Sequence, residues 1–201
     1  ALTDLVLGVT HGGTTTRFDL ASQYDNAPLT ATGTLETAGG LVVGIDSFSA
    51  TPRNIPIKLT NPTRIAVVNG SAQLDGLTLA TGSGSVSVSG TAGSALDLKA
   101  TVNSLPASLI NTFVPAINAA GSISGPIDAT GTPAAPSIRY DLEWSDAQLR
   151  QMRDAGIAPF RLEAAGNFAN GTVTLDRTRM SGANGLDLEA TGRVLLKPND
   201  A

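Results

Sequence analysis

The residues able to do chemistry are few, and their spacing works against it. The 201-residue chain holds one histidine, His11, in Thr10-His11-Gly12-Gly13, and no cysteine. A histidine beside paired glycines could act as a general base next to oxyanion-binding amides. That chemistry needs a nucleophile, yet no Gly-x-Ser-x-Gly elbow is present, and one histidine is not a triad. His11 therefore reads as a solvated loop residue. The absence of cysteine removes disulfides, thiolate metal sites and cysteine nucleophiles. The sequence contains neither a His-Glu-x-x-His pair nor an Asp-rich calcium loop. Gly82-Ser83-Gly84 opens like a dinucleotide fingerprint, but Ser87 stands where the third glycine belongs and no strand–helix unit follows. Asp97, Asp141, Glu143, Glu163, Asp187 and Glu189 could pair as glycosidase acids. Each alternates with an apolar neighbour, which already explains it as the wet face of a strand, where charge discourages edge-to-edge association. Arg150, Arg153 and Arg161 with Asp154 read as surface charge. The expectation is a chain that is not an enzyme, with no catalytic residue, no metal site and no cofactor.

Composition narrows the partners. Hydrophobic residues make up 41% and charged residues only 15%, against about 25% charged in ordinary domains. Aromatics are 4%, so the apolar content is aliphatic. The net charge of -4 argues against nucleic acid, whose phosphates need clustered Lys and Arg. It argues equally against docking on anionic head groups by charge. No stretch reaches the ~18 consecutive apolar residues of a membrane span, and no signal peptide opens the chain. The expectation is a segment soluble as it stands, with any anchor or export signal outside it.

The elements that must position these residues are strands, because the dominant period is two. Ile55, Ile57 and Leu59 alternate with Pro56 and Lys58, and Val86 and Val88 sit between serines. The same pattern runs through residues 77–80, 96–103, 138–145, 160–165, 173–176 and 186–191. Each segment has one apolar and one wet face. Asn69-Gly70, Asp75-Gly76, Asn170-Gly171 and Asn184-Gly185 supply residues tolerant of positive φ and read as turns. Two segments break the rule. Leu105 to Ala119 has apolar residues at helical spacing, with Pro106 suited to a first turn and Pro115 set to cut it; it predicts a short amphipathic helix. Ala147 to Asp154 predicts a second.

A repeat of the form apolar-x-Ala-x-Gly occurs as Leu29-Thr-Ala31-Thr-Gly33, Ile127-Asp-Ala129-Thr-Gly131, Leu162-Glu-Ala164-Ala-Gly166 and Leu188-Glu-Ala190-Thr-Gly192. The first and third continue alike, through a turn and a strand to Asp46 and Asp176. One supersecondary unit is being reused along a stack. The intervals are irregular, which disfavours a strict solenoid. No linker or composition shift divides residues 1–201, which read as one continuous β-rich segment. The dry faces leave two readings: a closed core, or a groove left open for alkyl chains. An aliphatic lining without ionisable groups suits acyl chains, which offer nothing to hydrogen-bond. Binding at about 0.8 kcal/mol per methylene is non-directional, so lipids could slide.

Residues 98–196, with their Leu-x-Ala-x-Gly strands and the run Leu98 to Trp144, resemble the large AsmA-like proteins of the translocation and assembly module subunit TamB family. In both, a strand leads into a short amphipathic segment, then Gly-x-Ile-x-Gly, then apolar-x-Ala-x-Gly, a Pro-bearing turn and another strand. The resemblance implies a β-taco, a mostly β, elongated and curved antiparallel or mixed sheet rolled around an apolar groove, with one or two short helices. It implies a periplasmic protein anchored in the inner membrane by a helix absent from these residues. It also implies a role in phospholipid transport and outer-membrane assembly, with a TamA-like outer-membrane barrel as partner through parts outside this segment. Following the alternation, the lining is expected at Leu98, Ala100, Val102, Ile127, Ala129, Ile138, Tyr140, Leu142, Trp144, Leu162, Ala164, Val173, Leu175, Leu188 and Ala190. Leu109, Phe113 and Ile117 are expected to cap an end. The rival readings are a β-solenoid stalk or adhesin segment of a secreted bacterial protein, which would repeat at constant coil length with Asn or Thr ladders, and an enzyme on a β scaffold.

Overall fold

In the computed structural model, which describes residues 2–24, 26–38, 40–112 and 114–195, the chain is mostly β. It divides into two compact units, Ala1–Ser94 and Ala95–Ala201. Within each unit every ladder is antiparallel.

Unit 1 contains β1 (Leu2–Gly12), β2 (Thr15–Tyr24), β3 (Ala27–Glu36), β4 (Leu41–Ala50), β5 (Ile57–Leu59), β6 (Thr63–Val68), β7 (Ser71–Thr81) and β8 (Gly84–Ala92). β5 and β6 lie end to end between β4 and β7. The break falls at Thr60-Asn61-Pro62, where Pro62 has no N–H to give the ladder. The Thr60 N–H bonds the Thr78 carbonyl at 2.9 Å and keeps the interruption short. Asn69 (φ 50) and Gly70 (φ 75) make the two-residue hairpin expected of an Asn-Gly pair. Asp75-Gly76 does not turn the chain. It lies inside β7, where the register slips between Leu74 and Leu77 and Gly76 takes φ 142. The glycine serves a bulge, which has the same need for positive φ as a turn.

Unit 2 is a meander of β9 (Leu96–Pro106), β10 (Ala120–Thr132), β11 (Ala135–Gln148), β12 (Phe160–Ala169), β13 (Thr172–Gly182) and β14 (Asp187–Leu195). The short helix expected within 105–119 is found as a 3-10 helix, Ala107–Thr112, followed by a 3-10 turn at Pro115–Ile117; its bounds shrink because Leu105 and Pro106 end β9. Pro115 withholds the N–H an α-helix would need. The side chain of Asn111 takes over the backbone of Ala119, accepting its N–H at 2.6 Å and donating to its carbonyl at 3.0 Å. The second candidate shrinks to α1 (Arg150–Asp154), because Ala147 and Gln148 still belong to β11. Asn170 (φ 50) and Gly171 (φ 71) form the β12–β13 hairpin.

The repeated motif has a structural meaning. Between β3 and β4 the register passes from Thr32↔Ser47 to Gly33↔Ile45, leaving Asp46 as the extra residue. Between β12 and β13 it passes from Ala165↔Arg177 to Gly166↔Leu175, leaving Asp176. Both aspartates sit in a bulge opposite the motif glycine. Both glycines face an aromatic ring across the next ladder, Gly33 under Phe18 and Gly166 under Tyr140. A Cβ on Gly33 would strike the Phe18 ring and the Gly44 carbonyl; on Gly166 it would strike the Tyr140 hydroxyl and the Thr174 carbonyl. The bulges bend and twist each sheet at matching places.

Candidate functional site

The registers of unit 2 carry side chains straight across the sheet. One row runs Leu98, Ala129, Ile138, Phe168, Val173, Val194. The next runs Ala100, Ile127, Tyr140, Gly166, Leu175, Gly192. Val102 faces Gly125, Leu142 faces Ala164, and Ala164 leads through Thr178 to Ala190. Ile123, Trp144, Leu162, Met180 and Leu188 make a further row. Paired residues share a face, so all fifteen expected lining positions stand on one side of unit 2. Ile123, Phe168, Met180 and Val194 stand there too and were missed. The period of two would have found Phe168, which continues Phe160, Leu162, Ala164 and Gly166. Unit 1 has the same kind of face: Leu7, Leu20, Ala31 and Phe48 form one row, and Leu59, Leu79 and Val86 another.

The six strands of unit 2 all belong to one sheet, so no second sheet of this unit packs on the face. Among the described residues no large side chain is fully buried, and the buried hydrophobic residues are Ala50, Val102, Ala107, Ala119, Ala147 and Phe160. Of the fifteen positions Val102 is buried, Leu188 and Ala190 are exposed, and the other twelve are half-buried. On the opposite face of unit 2, small residues such as Thr101, Thr130 and Ser137 are exposed while the apolar rows are half-buried. The difference is not uniform, since Asp128, Asn167 and Thr174 on the polar face are half-buried as well.

The opposite face is polar and closed by charge. Arg161 bridges Glu143 at 2.6 Å and Glu163 at 3.0 Å, and Arg179 grips both carboxylate oxygens of Asp187. Arg177 approaches Asp141 at 3.9 Å. Of the six carboxylates that could have formed an acid–base pair, Asp141, Glu143, Glu163 and Asp187 are engaged with arginines. Shallow depressions here are walled by polar residues such as Asp97, Lys99, Asp128 and Arg139 and are gaps between long side chains. His11 is exposed at the end of β1, in a strand rather than the expected loop, with Nδ1 3.0 Å from the Thr16 hydroxyl. Among the described residues no three His, Asp or Glu converge as a metal would require.

Tyr140 is the one ionisable group within the apolar rows. Its hydroxyl donates to the Thr174 carbonyl at 3.2 Å. Burial first, and the nearby Asp176 charge second, push its pKa up. It stays neutral and leaves the face uncharged. Trp144 turns its indole N–H to the Ala120 carbonyl at 2.9 Å, which satisfies its polar atom at the margin of the sheet. Of the expected cap, Leu109 and Ile117 are half-buried in the 3-10 turns between β9 and β10. Phe113 lies outside the described residues. Comparison with protein-family models, curated proteins and solved structures gave no match.

Proposed function

We propose that the apolar face of unit 2, and by the same pattern that of unit 1, holds the acyl chains of phospholipid. In this reading the chain is a non-catalytic periplasmic segment of a machine that moves lipid between bacterial membranes and serves outer-membrane assembly. Its inner-membrane helix and its contact with an outer-membrane barrel belong to residues outside this segment. The observation that carries the reading is an apolar face of aligned rows in a single sheet, in which no large side chain among the described residues is fully buried. Such a face is unfavourable in water, and hydrocarbon is the guest that covers it without needing a hydrogen bond. The rows repeat strand after strand, so a chain sliding across them meets near-equivalent surroundings. A stalk of stacked coils is less well supported, since such coils pair in parallel and every ladder here is antiparallel between strands of a meander.

Native mass spectrometry of protein purified from membrane-containing lysate should show bound phospholipid. Leu142→Asp or Leu175→Asp should abolish that binding while the circular dichroism of the sheet persists. Loss of the β signal in these variants would mean a closed core, and undiminished lipid binding would place the lipid elsewhere; either result defeats the reading.

A further inference from the structure

The two margins of unit 2 are built differently. At one, β10 turns into β11 through Pro133-Ala134, and β12 into β13 through Asn170-Gly171. At the other, β9 reaches β10 through residues 107–119 and β11 reaches β12 through residues 149–159. The longer connections carry two exposed, uncharged tripeptides, Val114-Pro115-Ala116 and Ile157-Ala158-Pro159. Val114 and Ile157 are each 45% exposed and Ile110 40%. These tips rest on an ordered base. Arg153 Nη2 donates to the Asn118 carbonyl at 3.0 Å, tying the two connections together. The Ile157 N–H bonds the Met152 carbonyl at 2.9 Å, and Ala107, Ala119 and Ala147 are buried beneath.

We infer that this margin seats on a lipid surface with neutral head groups, where acyl chains pass to the apolar face. The inference rests on the lipid-holding reading above and adds the place of entry. The apolar row nearest this margin is Leu105, Ile123, Trp144 and Leu162, with the buried Phe160 beside Ala147 beyond it. The connections hold only three charged residues, of which Arg150 pairs with Asp154 at 3.7 Å and Arg153 is taken by Asn118. Docking on anionic lipid by charge takes roughly four to eight clustered Lys or Arg, so the surface addressed is a neutral one. A protein partner fits poorly. The two tips comprise six residues, against roughly 20–30 residues a side in a stable interface. Aliphatic tips on a hydrogen-bonded base suit the head-group boundary, where binding grows with each apolar group inserted.

Flotation of the 201-residue chain with phosphatidylcholine vesicles tests this. The chain should float, equally at low and high salt. Val114→Asp with Ile157→Asp should lower the vesicle-bound fraction about tenfold or more, whereas Ala134→Asp at the other margin should leave it unchanged. Should the aspartates disturb the sheet, Val114→Ser with Ile157→Ser should still lower binding several-fold. Wild-type binding in the double variants overturns the proposal. So does flotation that requires anionic lipid, or a chain that ignores vesicles and instead forms dimers that the double variant dissolves. The lipid-holding reading fails separately, by absence of bound phospholipid in detergent-loaded protein, a readout in which no vesicle takes part.

Discussion

Unit 1 and unit 2 are alike on the apolar side of their sheets and differ on the wet side. Both seat an aromatic ring over a motif glycine and place an aspartate in the bulge opposite: Phe18, Gly33 and Asp46 in one, Tyr140, Gly166 and Asp176 in the other. On the wet side, unit 1 is knit by hydroxyl pairs such as Thr32 with Ser47 at 2.7 Å and Thr78 with Ser87 at 2.9 Å. Unit 2 uses arginine–carboxylate pairs. Residues 1–94 contain four Lys/Arg and six Asp/Glu, and residues 95–201 contain nine and eleven. The apolar side is constrained by the same geometric demand in both units. The wet side has only to meet water and pair across strands, and two chemistries satisfy that.

The glycine seat is the sharpest test of the shared half. Gly33→Ala and Gly166→Ala should each cost about 2–3 kcal/mol, because the new methyl meets a backbone carbonyl that cannot rotate away. Gly192→Ala, at the same motif position with nothing within 4 Å of a Cβ, should stay within about 0.5 kcal/mol of wild type. Urea unfolding monitored separately in each unit would measure this. A tolerant Gly33 beside an intolerant Gly166 would break the equivalence of the units.

The next effect separates the two rings. Tyr140→Phe removes the bond to Thr174 and should cost about 1 kcal/mol. It should also remove a pH dependence. The Tyr140 phenol is raised by burial and by Asp176, so its contribution is full below the ordinary value of about 10 and is lost as pH rises through the raised folded value. Alkaline destabilisation of unit 2 should therefore be weaker in the Phe variant. An identical alkaline profile in the two proteins would show that Tyr140 does not titrate as the geometry requires.

A matched pair of hydroxyls gives a smaller effect of opposite sign. Thr81 Oγ1 and Thr178 Oγ1 are buried without a partner, one in each unit. Valine has nearly the same shape and no polar atom to leave unpaired. Thr81→Val and Thr178→Val should each stabilise by up to about 1 kcal/mol, read from the denaturation midpoint. Destabilisation in either would point to a water bound at that hydroxyl, and the two units would then differ on the dry side as well.

What could be read from the residues follows the same division. Period-two alternation placed Leu98, Ile127, Tyr140 and Leu175 on one face, because a strand has only two. Asn170-Gly171 read correctly as a hairpin, since a two-residue turn needs positive φ at both positions. Asp75-Gly76 misled, because a bulge and a turn ask the same of a glycine. The short helix expected within 105–119 is present as a 3-10 helix over Ala107–Thr112 that ends before Pro115, but its later start was hidden, because apolar spacing does not tell that Leu105 and Pro106 still pair in β9. The aspartates of the repeat were visible, yet their place in a bulge was not, since a register shift depends on two strands at once. That unit 2 is a single sheet was equally hidden: Leu142 alternating with Asp141 and Glu143 is the pattern of one sheet of a sandwich as much as of a lone sheet.

The wet side yields the smallest effect and the one most specific to unit 2. Arg161 lies between Glu143 and Glu163, which stand directly opposite each other across β11 and β12. Two carboxylates in that position repel, and the guanidinium relieves them. Arg161→Ala should therefore cost more than the loss of one exposed ion pair, though the half-exposed setting and salt screening hold it to about 1 kcal/mol or less. Glu163→Gln in the Ala background should recover part of the loss by removing the repulsion. Both changes should shrink as salt is raised, while disruption of the Thr32–Ser47 pair in unit 1 by Thr32→Val should not respond to salt. A salt-insensitive Arg161→Ala would mean that the arginine stem, rather than its charge, holds the two glutamate strands, and the contrast between the wet sides would reduce to packing.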